Sequence, residues 1–401
     1  MPQMSGAEAL TKSLQQYGID TIFALPGAQL DPMFGALYQA RETLRVIHTR
    51  HEQGTSYMAF GYAQSTGKVG VNLVVPGPGL LNASAGLSTA YACGAPVLCL
   101  AGQIPSKLIG QGIGQLHELA DQPGAVASVT KWRGRADTPS DAPGKVREAF
   151  QQLNTGRVQP VLLEMAPDIM ASRGDVELLA PIASYDGIDP EPDEDLIEQA
   201  AALLGNAEHP AIMIGGGIWG AEESLLNLAE EIQAPVCTSP HGNGAIDSRH
   251  YLAQNLMCAK EDWDNIDVVL SVGTRYQAPA SWGQHDGKKL IRIDIDANQS
   301  IQIAKPDVHI ISTAAKSLKM LAERVQRHNR KRESRESELS ALKRTVMDRF
   351  NSLEPQYSFN MVIRDELPED GIACFDITQL GYVAWFGFPT YQPRTLVHAG
   401  Y

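Results

Sequence analysis

The chain has 401 residues, 43% of them hydrophobic and 20% charged, which is too long for a single core of usual size and predicts two or three domains. It carries 33 Lys and Arg against 46 Asp and Glu, and the net charge of −13 disfavours nucleic acid and anionic membranes as partners. The sequence has no basic leader pattern and no run of about 18 apolar residues, so we expect a cytoplasmic protein outside the membrane. The five scattered cysteines predict reduced thiols and neither a metal site nor a disulfide framework.

Short apolar runs alternate with helix-like stretches in the first part of the chain. The predicted strands cover residues 22–24, 46–47, 69–75, 97–101 and 161–165. Continuous apolar strands separated by helices predict a parallel sheet that is covered on both faces. After residue 170 the sequence becomes polar and rich in Pro and Asp. We therefore predict a first domain over 1–170 and a linker over 171–192.

A second α/β pattern follows the linker. Its predicted strands cover residues 211–214, 235–238, 268–272, 290–295 and 309–311, which indicates a doubly wound central domain over 193–325. Residues 323–350 are dense in charge of both signs and are predicted to form a solvated helix. The connecting segment between the central domain and the last segment is predicted over 326–355.

The last segment, 356–401, begins a third α/β unit. Helices are predicted over 359–367 and near Tyr382, and strands over 372–376 and 396–397. Two strands and two short helices cannot close a core of their own. The unit is therefore expected to be incomplete, and to be ordered by further chain or by packing on other elements.

Three loops in the first domain carry residues that suit ligand binding. Leu25-Pro26-Gly27 follows the first predicted strand, Arg50-His51-Glu52-Gln53-Gly54 follows the second, and Pro76-Gly77-Pro78-Gly79-Leu80-Leu81-Asn82 follows the third. In a doubly wound sheet, ligands bind at this carboxyl edge of the strands. Each motif alone also has a structural explanation, such as a tight turn, an Asn cap or a carboxylate at a helix start.

Taken in order, and with Ala101-Gly102-Gln103-Ile104-Pro105 and Ile109-Gly110 downstream, these motifs resemble the thiamine diphosphate-dependent enzymes of the acetolactate synthase group, large catalytic subunit type. The resemblance covers essentially the whole chain. It implies an α/β protein of doubly wound parallel-sheet domains: a pyrimidine-binding domain, a central Rossmann-like domain and the start of a truncated diphosphate-binding domain.

The resemblance also implies functional residues. Glu52 matches the glutamate that hydrogen-bonds N1′ of the cofactor's aminopyrimidine, and Gln115 matches a glutamine that reaches the cofactor, so both are candidate catalytic residues. Further cofactor-binding candidates are Pro26, Gly27, Pro78, Asn82 and, on the diphosphate side, Gln379.

The central domain contains Gly215-Gly216-Gly217-Ile218-Trp219-Gly220, which satisfies G-x-G-x-x-G after a strand. This pattern alone suggests a nicotinamide dehydrogenase, but the next predicted strand carries no acidic residue to bind a ribose hydroxyl. The resemblance implies instead FAD or an ADP-like group near Gly216, Gly217 and Arg275. A structural loop without a ligand is the alternative.

Two departures from the family pattern bear on activity. The family's F-Q-E triplet stands here as Gly114-Gln115-Leu116, followed by His117 and Glu118, which changes the expected substrate wall. His117 is either a proton shuttle or an ordinary surface histidine. The family's G-D-G motif, which holds Mg²⁺ and the diphosphate, does not occur in the sequence, so no metal ligand is predicted within it.

The resemblance implies a lyase or carboligase that acts on a 2-oxo acid such as pyruvate, with thiamine diphosphate and Mg²⁺. It also implies a homo-oligomer whose active site lies between subunits. The alternatives are a 2-oxo acid decarboxylase of the same family and a non-catalytic binding or assembly homologue that lacks the diphosphate half.

Overall fold

The computed structural model describes residues 1–185, 187–283, 287–298 and 303–399. The chain forms two compact units, residues 1–188 and 189–400. The last two residues of the predicted third unit, 400 and 401, lie outside the described residues.

The first unit consists of strands and helices that alternate along the chain. Its strands are β1 (Gln3–Ser5), β2 (Thr21–Ala24), β3 (Arg45–His48), β4 (Gly70–Val74), β5 (Val97–Gly102), β6 (Trp132–Ala136), β7 (Val161–Met165) and β8 (Arg173–Asp175). Its helices are α1 (Gly6–Gln16), α2 (Asp31–Gln39), α3 (Glu52–Thr66), α4 (Pro78–Cys93), α5 (Gln122–Ala125), α6 (Ala142–Asn154) and α7 (Pro167–Ala171).

A six-stranded parallel sheet organises this unit, in the order β3-β2-β4-β5-β7-β6, and β1 pairs antiparallel with β8. Strands β2, β4, β5 and β7 are buried along their whole length, because helices cover both faces of the sheet. Local signals set the helix ends: Ser5 and Glu8 form a capping box at α1, and Gly67, in the left-handed conformation, ends α3.

The second unit has the same alternation. Its strands are β9 (Pro210–Ile214), β10 (Val236–Thr238), β11 (Ala253–Asn255), β12 (Val268–Val272), β13 (Lys289–Asp294), β14 (Val308–Ile311), β15 (Ala373–Phe375) and β16 (Leu396–His398). Its helices are α8 (Glu194–Asn206), α9 (Glu222–Ile232), α10 (Leu256–Glu261), α11 (Gln277–Ser281), α12 (Ala314–Val325), α13 (Glu336–Phe350), α14 (Gln356–Glu366) and α15 (Gln379–Gly387).

Six parallel strands form the main sheet of this unit, in the order β11-β10-β9-β12-β13-β14, and β15 pairs parallel with β16 in a separate two-stranded sheet. The segment with β15 and β16 packs on the larger sheet through polar contacts. Asn243 donates to the carbonyl of Trp385 at 3.2 Å, and Asn255 donates to the carbonyl of Phe386 at 2.8 Å. Packing on the central domain therefore helps to order this short α/β piece.

The predicted α/β class with doubly wound parallel sheets is confirmed in both units. The helix predicted over 323–350 is wrong in extent, because α12 ends at Val325 and α13 begins only at Glu336. Between them, Arg332 donates to the carbonyls of Leu204, Gly205 and Ala207 at 3.0–3.2 Å. The guanidinium thus satisfies carbonyls at the end of α8, a tertiary contact that replaces helix in this stretch.

Candidate active site

The candidate site lies at the carboxyl edge of the first sheet. From β2 the chain moves to β3 on one side and then returns to β4 on the other, so the strand order reverses between β2 and β4. Such a reversal opens a crevice between the loops that leave neighbouring strands, and ligands of doubly wound sheets bind there. The loops after β2, β3, β4 and β5 carry the predicted residues of the first domain.

Glu52 and Asn82 come together at this edge. Glu52 is the first residue of α3, and His51 caps the helix by accepting the Gln53 N–H on its Nδ1 at 3.1 Å. Asn82, in the second turn of α4, donates from Nδ2 to Glu52 Oε2 at 3.0 Å. Glu52 is partly buried and Asn82 is exposed. The carboxyl group is therefore oriented by α4 and remains accessible from the crevice.

The turn between β4 and α4 requires glycine. Gly77 has φ +62° and ψ −118°, which side chains rarely permit, and a Cβ there would overlap the carbonyl oxygen of His117. Pro78 follows as the first residue of α4, where proline is favoured because the missing N–H has no helical partner. A Cβ on Gly79 would lie 3.5 Å from Glu52 Oε1, so this turn borders the carboxyl group.

The loop after β2 lies against the same turn. A Cβ on Gly27 would overlap the Val75 side chain, whereas Pro26 is exposed. Two residues on, buried Gln29 donates from Nε2 to the carbonyl of Leu116 at 3.4 Å. The loops after β2, β4 and β5 therefore meet, and Pro26 and Gly27 lie at one side of the candidate site.

Gln115 lies on the loop after β5, and Glu118 orders this loop. Glu118 accepts the Gln115 N–H at 2.8 Å and the Gly112 N–H at 2.9 Å. His117 has a positive φ of +69°, and its backbone contacts the position that a Gly77 side chain would occupy. Its Nδ1 is buried and has no hydrogen-bond partner among the described residues. His117 thus belongs to this edge of the sheet, where the sequence left its role open.

A buried polar cluster, which the sequence patterns did not predict, lies beneath the turn. Glu164, on β7, is fully buried and accepts from Gln122 Nε2 at 2.8 Å, and Gln122 Oε1 accepts the Gly77 N–H at 2.8 Å. Gln103 and Arg135 lie 3.4–3.5 Å from the same carboxyl group. Burial raises the pKa of Glu164 despite these donors. The available signal was a charged residue inside the apolar run Val161–Met165.

The glycines of the central domain serve loop packing. A Cβ on Gly217 would lie 2.7 Å from the Gly273 Cα, and the Gly217 N–H donates to the Gly273 carbonyl at 3.0 Å. Gly216 lies in the same short 3₁₀ turn, and Arg275 is partly buried in the loop after β12. Nearby, Arg292 is 1% exposed, and its Nε and Nη1 have no hydrogen-bond partner among the described residues. Burial lowers the pKa of this guanidinium.

Gln379 lies in the second unit, as the first residue of α15. It is exposed, and its Oε1 accepts from Gln356 Nε2 at 2.6 Å. In the parts of the chain that the structure describes, no three His, Cys, Asp or Glu side chains are grouped so that they could hold a metal ion. Among the same residues, no helix has the length and apolarity needed to cross a membrane.

The reversed strand order and the carboxyl group at the start of α3 are typical of α/β domains that bind a ligand at this edge. Two family models match the chain: the thiamine pyrophosphate enzyme N-terminal TPP binding domain over residues 4–125, and the thiamine pyrophosphate enzyme central domain over residues 197–321. The chain belongs to the thiamine pyrophosphate enzyme family. The first match contains every candidate residue of the first unit, the second contains Gly216, Gly217 and Arg275, and Gln379 lies outside both.

The curated relatives of the chain are named either as a decarboxylase or as acetolactate synthases. The chain is 30% identical over 405 residues to a probable 2-ketoarginine decarboxylase of Pseudomonas aeruginosa, in a match that covers 98% of this chain and 71% of that protein. It is 34% identical over 342 residues to a probable acetolactate synthase large subunit of Methanocaldococcus jannaschii, covering 79% and 56%. It is 32% identical over 350 residues to an acetolactate synthase of Arthrospira platensis, covering 82% and 60%. The chain thus spans little more than half the length of these two synthases.

Proposed function

We propose that this chain provides the pyrimidine-binding half of the active site of a thiamine diphosphate-dependent enzyme that acts on a 2-oxo acid such as pyruvate. The observation that carries the proposal is the Glu52 carboxyl at the carboxyl edge of the first sheet, oriented by Asn82 at 3.0 Å. When bound, the cofactor supplies an electron sink for the cleavage of a 2-oxo acid.

The residues of the first unit suit an aminopyrimidine. Glu52 presents Oε2 to Asn82, and its Oε1 lies beside the start of α4, 3.5 Å from the position that a Cβ on Gly79 would occupy. A carboxyl group can hydrogen-bond a ring nitrogen in either protonation state. Pro26 and Pro78 are exposed apolar groups at the rim, and Gln115 lies on the adjoining loop. In this proposal Glu52 holds or moves a proton at Oε1 or Oε2, and the neighbouring loops orient the ring and exclude water.

We further propose that Mg²⁺ and the diphosphate are held from a diphosphate-binding domain, with Gln379 on that side. We also propose domains over 1–170, 193–325 and 356–401, with connections over 171–192 and 326–355. The family matches over 4–125 and 197–321 support the first two of these domains. The active site would then form between subunits of a homo-oligomer. Exposed Met58 on α3 and Leu81 on α4 support this assembly, because the two helices that carry Glu52 and Asn82 also present apolar side chains at the surface.

An FAD or ADP-like group in the central domain is part of the same proposal. Two nitrogens of buried Arg292 have no hydrogen-bond partner among the described residues, and the Asp294 carboxyl pairs with its Nη2 only at 4.0 Å. This favours an anionic group near the carboxyl edge of the second sheet, with Gly216, Gly217 and Arg275 as further contacts. The Gly217 packing on Gly273 supports a purely structural loop instead. Flavin absorbance that stays with the protein after incubation with FAD and removal of unbound flavin would support FAD binding. Its absence after the same treatment would exclude FAD.

Decarboxylation without carbon–carbon bond formation is the second candidate. It is favoured by the name of the Pseudomonas relative, and by Gly114-Gln115-Leu116 in place of the aromatic F-Q-E triplet. With thiamine diphosphate and Mg²⁺, pyruvate and 2-ketoarginine should be compared as substrates, with acetolactate and CO₂ measured as products. Acetolactate formation supports carboligation, and CO₂ release with an aldehyde product supports decarboxylation.

Glu52→Gln tests the site itself. The variant should keep the melting temperature within about 2 °C, because Glu52 is only partly buried, and should lose turnover by at least about a hundredfold. Asp31→Asn is a matched control, since Asp31 is likewise an acid in the first turn of a helix, α2. Undiminished consumption of the 2-oxo acid by Glu52→Gln would refute the assignment. Failure of the unmodified protein to bind thiamine diphosphate would favour a non-catalytic homologue.

A further inference from the structure

The turn that starts α4, Pro76-Gly77-Pro78-Gly79, has no polar side chain that could hydrogen-bond to the protein beneath it. Gly77 adopts a conformation that favours glycine, and Pro76 and Pro78 on either side lack an N–H. The Gly77 N–H is therefore the main-chain donor available at the apex of the turn. It is buried and donates to Gln122 Oε1 at 2.8 Å, and among the described residues this hydrogen bond connects the turn to the protein beneath it.

The hydrogen bond requires one orientation of the Gln122 amide. Its oxygen must face Gly77, and its nitrogen must then find acceptors on the opposite side. Two acceptors lie there: the Gly102 carbonyl at 2.9 Å and Glu164 Oε2 at 2.8 Å. If the amide were reversed, its NH₂ group would face the Gly77 N–H, and its oxygen would face two other oxygens. The Glu164 carboxyl thus helps to select the orientation that binds Gly77.

Burying the Glu164 carboxyl costs desolvation free energy, so stabilisation of the fold alone does not explain a glutamate at this position. Glu164 is fully buried within an all-buried strand, and its ion pair is long, because Nη1 of the partly exposed Arg135 guanidinium lies 3.4 Å from its Oε1. An apolar residue of similar size would avoid the desolvation of a carboxyl group. The orientation of Gln122 gives a reason for keeping an acceptor at this position.

We propose that Glu164 is a positioning residue that acts through Gln122 to hold the Gly77 turn, and with it Pro78 and the start of α4, in place beside Glu52. The role in cofactor binding rests on the proposed function, whereas the hold on the Gly77 turn does not. Glu164 itself contacts neither substrate nor cofactor in this proposal.

Hydrogen exchange at Gly77 tests the hold directly. Because Pro76 and Pro78 have no N–H, a peptide over residues 75–79 reports mainly on Gly77 and Gly79. Gln122→Met and Glu164→Met should each speed the exchange of Gly77 by about tenfold, the size expected for one lost hydrogen bond. Glu164→Gln, whose amide oxygen can still accept from Gln122, should stay within about threefold of the unmodified protein.

Gln103→Met is the matched control, because Gln103 is buried and contacts Glu164 but does not contact Gly77. It should lower the melting temperature without faster exchange at Gly77. Should Glu164→Met leave this exchange within twofold of the unmodified protein, Glu164 would be only a buried core residue. If Glu164→Met does not fold, the comparison of Gln122→Met with Glu164→Gln tests the proposal instead. Equal rates of hydrogen exchange at Gly77 in these two variants would overturn it.

A second measurement separates this inference from the proposed function. Titration with thiamine diphosphate and Mg²⁺ should give a dissociation constant raised about tenfold by Gln122→Met and unchanged by Gln103→Met, because a displaced loop loses contacts. An equal effect of both variants would refute the link to cofactor binding. If the unmodified protein binds no thiamine diphosphate, the proposed function fails, and the exchange experiment still decides whether Glu164 holds the turn.

Discussion

Helices α3 and α4 carry Glu52 and Asn82, and they approach each other closely at Gly86. A Cβ at Gly86 would overlap Ser56 Oγ and lie 2.8 Å from both the Ser56 Cβ and the Tyr57 backbone nitrogen. The hydroxyl could rotate away, but the backbone nitrogen moves only if α3 moves. Gly86→Ala should therefore push the two helices apart.

The expected size follows from two opposing effects. Alanine is favoured over glycine within a helix by about 1 kcal/mol. Overpacking a buried contact costs about 1–3 kcal/mol, and the upper part of that range applies because the clash involves backbone. The net destabilisation is about 1–2 kcal/mol, which lowers the melting temperature of a unit of this size by about 3–6 °C.

Gly61→Ala provides the matched control, because Gly61 lies within α3 and a Cβ there would meet no atom of another described part of the chain within 4 Å. It should be neutral or stabilising by up to about 1 kcal/mol. Thermal unfolding of both variants, followed by circular dichroism, is the assay. A Gly86→Ala variant as stable as the unmodified protein, or an equal loss in Gly61→Ala, would refute the close approach. Adding Ser56→Gly to Gly86→Ala should restore part of the stability.

Three further predictions concern other groups. Burial raises the pKa of the Glu164 carboxyl, so the folded state binds a proton at Glu164 more tightly than the unfolded state does. The stability from this protonation is lost as pH rises above 4.5 through the pKa of the folded state. Between pH 4 and 7 the melting temperature of Glu164→Gln should therefore rise relative to that of the unmodified protein, and a constant difference would contradict this. Arg332→Ala should lower the free energy of unfolding of the second unit by about 1–3 kcal/mol, because three hydrogen bonds to carbonyls are lost. The control Lys331→Ala, at an exposed side chain, should change this free energy, measured by denaturant unfolding, by less than about 0.5 kcal/mol. Asn82→Ala should reduce kcat/KM about tenfold while the melting temperature stays within about 2 °C, because the exposed Nδ2 orients Glu52; unchanged kinetics would show that Glu52 needs no such orientation.

The sequence predicted the buried strands closely, because a strand covered on both faces must be apolar throughout. Val161–Met165 and Val268–Val272 were predicted with their observed bounds. It missed β6 (Trp132–Ala136), a partly exposed edge strand that carries two arginines, and the short edge strand β11. Edge strands lack the continuous apolar pattern, so their pairing depends on neighbours that are distant along the chain.

For the candidate site, the amino-acid sequence alone determined which loops carry ligand-suited residues, because turns and helix starts impose local requirements for Gly, Pro and polar caps. The family resemblance drawn from those motifs is confirmed by the two matched domains. Only the tertiary structure decided what lies beneath the loops. The hydrogen bonds from Glu164 through Gln122 to Gly77 join β7, α5 and the turn before α4. Glu164 and Gln122 are 42 positions apart along the chain, and Gln122 and Gly77 are 45 positions apart. No local pattern encodes such contacts, since they exist only once the parallel strands are placed side by side.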